Sequence, residues 1–112
     1  MKAANVNDIQ RRTAYNITAV VCKLLGDVTV DELRTSSRHS RVTTARHIIG
    51  WVLYRVCRYS TTEIGTLTGR DHTTILHSVM KVDGWLDMPK YYKREVEIIK
   101  HFTKKGDETQ KT

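Results

Sequence analysis

Apolar residues recur at three- and four-residue spacings along most of this chain, with no strong alternation and a single proline, Pro89. That pattern restricts the fold to helices: a half-buried strand needs period two, whereas a helix needs an apolar stripe at period 3.6. Ile9, Ile17, Val20, Val21, Leu24 and Leu25 define a first helix over about 8–25, closed by Gly26. "TVDEL" at 29–33 reads as a threonine cap and a short helix with acids in its first turn. A third helix is predicted over about 40–58. Its stripe is Val42, Ala45, Ile49, Val52 and Val56, flanked by Ile48 and Leu53, while Thr43, Arg46, His47, Gly50, Tyr54 and Arg58 gather opposite as a basic face.

"STTE" at 60–63 is a capping box, in which Ser60 and Glu63 satisfy each other's backbone N–H. A short helix follows to about 68, with Ile64 and Leu67 inward, and Gly69 breaks it. The next helix is predicted from Asp71 to about Leu86 on a stripe of Ile75, Val79, Val82 and Leu86, joined by Leu76. Pro89 suits the first turn of a last helix over about 89–104, with Val96, Ile99 and Phe102 apolar. The expected organisation is one domain over 1–104 and a disordered tail, 105–112, because "KKGDETQKT" offers nothing apolar to bury.

Composition narrows the function. The length suits one domain with a modest core, the apolar runs are too short for a membrane span, and "MKAANVNDIQRR" lacks the apolar core of a secretory signal. Cys22 and Cys57 read as small buried hydrophobes of a reducing cytosol rather than as a disulfide framework. The net charge is +7, and it is polarised. From Leu33 to Thr62 there is no acid and no lysine, only Arg34, Arg38, Arg41, Arg46, Arg55 and Arg58 with His39 and His47. Arginine forks suit phosphate oxygens, which points to a polyanion; the plainer alternative is a solvated helix face.

"GRDHTTILHS" at 69–78 gathers polar chemistry at a helix start. Asp71 can cap the free amides, leaving Thr73 and Thr74 as a polar first turn and no more. The alternative is a reading tip. Thr73, Thr74, His77 and Lys81 fall away from the apolar stripe, and short hydroxyl, methyl and imidazole groups suit base edges and phosphates. A metal site is disfavoured, since His72 and His77 face different sides and no Cys-x-x-Cys or His-Glu-x-x-His occurs. Ser78 has no base-and-orienter arrangement for nucleophilic catalysis, and "GTLTGR" lacks the ending and preceding strand of a phosphate loop. No enzyme activity, cofactor, metal or nucleotide is therefore expected.

From Asn16 to Lys104 the chain resembles the C-terminal DNA-binding domain of the bacterial replication initiator DnaA, on "GRDHTTILH" and the preceding S-x-x-E-I-G. The resemblance implies an all-α compact bundle of about six helices containing a helix-turn-helix, also similar to the Trp-repressor fold. It implies that Asp71, His72 and Thr73 face bases in the major groove and Thr74 a phosphate. Arg38 matches a minor-groove arginine, Arg46 a DNA-contacting arginine, and Thr61 and Thr62 positions near the DNA backbone. Arg41, His47, Arg70, His77 and Lys81 complete the expected DNA-binding set. Three departures stand out. The turn before Arg70 is one residue shorter than the family's Phe-Gly-Gly, His47 replaces a glutamine, and Thr62 replaces a proline.

The 112 residues leave no room for the ATPase module of the family. The expected protein is a stand-alone, monomeric, cytoplasmic and nucleoid-associated reader of DnaA-box-like duplexes, such as a phage or mobile element would use to regulate replication initiation or transcription. The alternatives are a module that binds a replication protein with only non-specific DNA affinity and, further off, an RNA binder.

Overall fold

The computed structural model describes residues 5–111, with side chains described for 5–103. The elements are α1 (Asp8–Leu25), α2 (Val30–Leu33), α3 (Ser40–Trp51) continuing into a π-helical turn (Val52–Val56), α4 (Thr61–Thr68), α5 (His72–Asp87) and α6 (Lys93–Lys111). No strand occurs among the described residues.

Local chemistry sets most of these boundaries. A capping box opens α4 through Ser60 and Glu63, as the sequence predicts, and at α2 the expected threonine cap is completed into a box by Glu32. A third opens α1: Asn7 Oδ1 accepts from the Gln10 amide at 2.8 Å, and Gln10 accepts from the Asn7 amide at 3.0 Å. Each box satisfies N–H groups that a helix start leaves bare. Gly26 closes α1 and Gly69 closes α4, both left-handed at φ 81° and 71°. L-residues with a Cβ disfavour that conformation.

α3 is the central helix, packed between α1 and α5. Val42, Ala45, Ile48, Val52 and Leu53 are wholly inaccessible. The predicted basic face is covered in part by this placement, because a helix with neighbours on both sides has little free surface: Arg58 stays exposed and Thr43 half-buried. Gly50 is buried against Ser78, Trp51 is buried, and Arg46, His47 and Tyr54 are half-buried. The π-helical turn corrects a second expectation. Its wider turn, closed by the Cys57 amide on the Val52 carbonyl at 3.1 Å, carries Val56 out of the stripe to 39% exposure. Arg58 ends it in the left-handed region at φ 64°.

Ile75, Val79 and Val82 point inward from α5, joined by Ser78 and Trp85, but Leu76 is exposed. Ile9 is likewise exposed rather than buried. The last helix starts at Lys93, not Pro89, which lies in the preceding turn. Tyr92 stacks on Trp85 at 5.6 Å there, and Val96, Ile98 and Ile99 seal the core. The helix continues to Lys111, past the expected end near 104. The side chains of the expected tail lie outside the described residues, as does Thr112 altogether. Cys22 is buried, Cys57 is half-buried and both are free.

Candidate nucleic-acid interface

The turn between α4 and α5 is built on two glycines. Gly69 takes the left-handed conformation, and its amide and that of Arg70 both bond to the Gly65 carbonyl. Gly65 itself is buried under the turn: a Cβ there would lie 2.6 Å from the Arg70 carbonyl oxygen. The turn can be this tight because position 65 has no side chain. Glu63 ties α4 to α1 as well, accepting from Gln10 Nε2 at 3.0 Å.

Asp71 occupies the cap position of α5, but its side chain makes no cap hydrogen bond. The expected cap is thus absent. The carboxylate is exposed, with His72 Nδ1 3.4 Å away. Thr73 and Thr74 follow on the exposed first turn, with His77 and Lys81 exposed further along the same helix. His72 is half-buried, and so are Thr61 and Thr62 in the first turn of α4.

The arginines sort into different roles. Arg38 is exposed on the segment between α2 and α3 and has no ion pair among the described residues. Arg41 is bonded to the Asp27 carbonyl at 2.7 Å and to Glu32 at 2.7 Å, and that contact, with the Thr29 backbone bond, holds the Glu32 carboxyl down to about 2. Arg55 pairs with Asp83 at 2.6 Å, and Trp51 Nε1 donates to the same carboxylate at 2.8 Å. Arg46 does not reach outward. Its guanidinium donates to the carbonyls of Leu33, Thr35 and Ser37, at 2.6 Å for the last two. Arg70 donates to the Leu33 carbonyl at 3.0 Å. Two predicted DNA contacts therefore clamp the loop that carries a third, Arg38.

His47 Nδ1 lies 2.8 Å from Ser78 Oγ, and its ring meets Trp85 edge-on at 6.0 Å. The bond satisfies Ser78, a buried polar residue where α3 crosses α5. Burial holds the His47 imidazole below its ordinary value, with Lys81 and Arg46 pushing the same way. The unfolded chain then takes the proton first as pH falls through about 6.5, so this stability is complete above that pH and declines below it. Thermal melts at pH 7.5 and 5.5 are expected to show that loss, and His47→Gln is expected to reduce it. An equal loss in the variant would rule His47 out as its source.

Sequence reading missed Gly65 as the tightening residue, Ser78 as the partner of His47, and Arg11 and Arg34 as neighbours of the basic cluster. Arg34 stood within the acid-free run, and Arg11 carried no signal of its own.

Two consecutive helices joined through a glycine turn, with a polar tip on the second, define a helix-turn-helix protein. Residues 14–82 match the family described as bacterial DnaA protein helix-turn-helix, and the chain belongs to that family. It is 34% identical over 100 residues to the chromosomal replication initiator protein DnaA of Bacteroides thetaiotaomicron, covering 88% of this chain and 21% of that protein. It is 32% identical over 94 residues to the DnaA of Bacteroides fragilis, covering 83% and 20%. Against that of Ureaplasma parvum it is 38% identical over 72 residues, covering 63% and 16%. The chain thus spans about a fifth of the length of these relatives. The family's helix-turn-helix is a DNA-binding module, not a catalytic one. No helix among the described residues is long and apolar enough to cross a membrane.

Proposed function

We propose that this chain binds double-stranded DNA with sequence preference, at sites like the DnaA box. The observation that carries the reading is the uncapped, exposed tip of α5: an Asp71 carboxylate that makes no cap bond, with His72 3.4 Å away and Thr73 and Thr74 beside it, on a turn tightened through Gly65. In this reading Asp71, His72 and Thr73 meet base edges in the major groove. A carboxylate accepts from a cytosine amine, and a threonine methyl packs on a thymine methyl. Thr74, His77, Lys81, Thr61 and Thr62 hold the DNA backbone. Arg38 enters the minor groove, while Arg46 and Arg70 set the loop that aims it. Arg41 acts at one remove, through Glu32. The site of action would be the cytoplasmic nucleoid, and occupancy of such sites would act on replication initiation or transcription.

The test compares a DnaA-box duplex with a scrambled one at two salt concentrations. A preference for the box that persists as salt weakens both is expected. Thr73→Ala should cut discrimination by about 1 kcal/mol, the lower end for a base contact, and leave the salt slope unchanged. Equal affinity for both duplexes would overturn specific reading, leaving the interaction-module alternative to be tested by pull-down after nuclease treatment.

A further inference from the structure

Five arginines converge on one cavity of about 520 Å³: Arg11 from α1, Arg34 and Arg38 from the segment after α2, Arg46 from α3 and Arg70 from the α4–α5 turn. None of its lining residues is acidic. Its walls are largely apolar, with Leu33, Ile49, Leu67 and Ile75 among them, and the hydroxyls of Thr18, Thr43 and Thr68 donate to carbonyls of their own helices, which leaves the arginines as the donors. The volume falls within the range of about 300–1,000 Å³ typical of small-molecule sites, which combine an apolar lining with a few placed polar groups.

The charge is not neutralised internally. Arg41 and Arg55 elsewhere have carboxylate partners, whereas Arg46 and Arg70 donate to uncharged backbone carbonyls, Arg46 to those of Leu33, Thr35 and Ser37 and Arg70 to that of Leu33, and Arg70 adds to burial in lowering the proton affinity of Arg46. Apolar walls around unpaired cations concentrate the field and strengthen attraction for an anion. They also disfavour a bare, hydrated phosphate, which would lose water without gaining apolar contact. Guanidinium forks match oxyanions and stack on flat rings.

We propose that this cavity binds a small aromatic oxyanion, a ring body carrying a phosphate or similar group, and that its occupancy weakens DNA reading. The coupling rests on the function proposed above, because Arg38 and Thr74 line the cavity and belong to the proposed DNA contacts. The binding itself does not depend on that reading.

The probe is 1-naphthyl phosphate, titrated calorimetrically into the 112-residue chain without DNA. Saturable one-to-one binding is expected, with inorganic phosphate and 1-naphthol each weaker by roughly tenfold or more, since each lacks half of the recognised chemistry. Thr18→Phe should fill the cavity and abolish binding; the Thr18 hydroxyl otherwise bonds only to its own helix, at the Ala14 carbonyl. Arg34→Gln, at an exposed position, should weaken binding roughly fivefold with the fold intact by circular dichroism; it carries the test if Thr18→Phe does not fold. No binding at millimolar probe, or undiminished binding in the folded variants, would overturn the site. Saturating probe should then weaken box-duplex affinity several-fold in the parent chain and not in Thr18→Phe; no change in the parent would overturn the coupling. A chain that binds the probe but reads no box loses only the proposed function, and one that reads the box but binds no probe loses only this site.

Discussion

Gly65→Ala is expected to lower the melting temperature by several degrees and to misplace the tip of α5. The alanine methyl would lie 2.6 Å from the Arg70 carbonyl oxygen, which is backbone and cannot rotate away. Relief requires the α4–α5 turn to open. Opening it strains the bonds from the Gly69 and Arg70 amides to the Gly65 carbonyl, the latter 2.9 Å long. Overpacking of this kind costs about 1–3 kcal/mol or more. Alanine gains roughly 0.5–1 kcal/mol over glycine inside a helix, too little to offset the clash. A chain of this size loses roughly 4 °C per kcal/mol. Gly84→Ala is the matched control: that glycine lies in α5 with open space around its missing Cβ, so the same substitution should stabilise by about 0.5–1 kcal/mol. Thermal denaturation of both variants decides the matter. A Gly65→Ala chain as stable as the parent would remove the steric account of the turn.

Arg46→Ala is expected to release the loop from 33 to 38. One guanidinium satisfies the carbonyls of Leu33, Thr35 and Ser37, and a hydrogen bond to a charged donor contributes about 1.5–3 kcal/mol net, less where the carbonyl it releases can turn to water. A net loss of about 2 kcal/mol is therefore expected, together with faster amide exchange across the loop. Arg46→Lys separates this role from a plain phosphate contact. Lysine keeps the charge but cannot span three carbonyls from one planar fork, so it should behave like alanine in stability and loop exchange. If lysine restored both, the clamp would be refuted. If alanine instead left stability alone and reduced the salt slope of DNA binding by about one, Arg46 would be a phosphate contact after all.

These two residues also mark where sequence reading stops. Gly65 carries no local signal of its role, because the atom it must avoid belongs to a residue beyond the turn, and only the direction of that turn brings the two together. Arg46 looked like a free cation because its partners are carbonyls, which every residue carries and no side-chain pattern reveals. The acid-free stretch from Leu33 to Thr62 misled in the same way. Glu32 and Asp83 stand outside it in sequence, yet they neutralise Arg41 and Arg55 in space.

Much of what lies within four residues along the chain was legible, though the Asn7–Gln10 box was not read and the expected Asp71 cap is absent. The Thr29 cap, the Ser60–Glu63 box, the stops at Gly26 and Gly69 and the inward face of α5 at Ile75, Val79 and Val82 follow from hydrogen bonds and periodicity that one helix completes alone. The sequence by itself therefore determined an all-helical chain with a helix-turn-helix and a polar tip. Only the tertiary structure decided which cations stay free. Burying α3 between α1 and α5 turned Arg46 and His47 inward to partners on other segments, and left Asp71, Thr73 and Arg38 exposed. A guanidinium bonds to whatever oxygen packing places within reach, and packing is set by the whole core rather than by its neighbours in sequence.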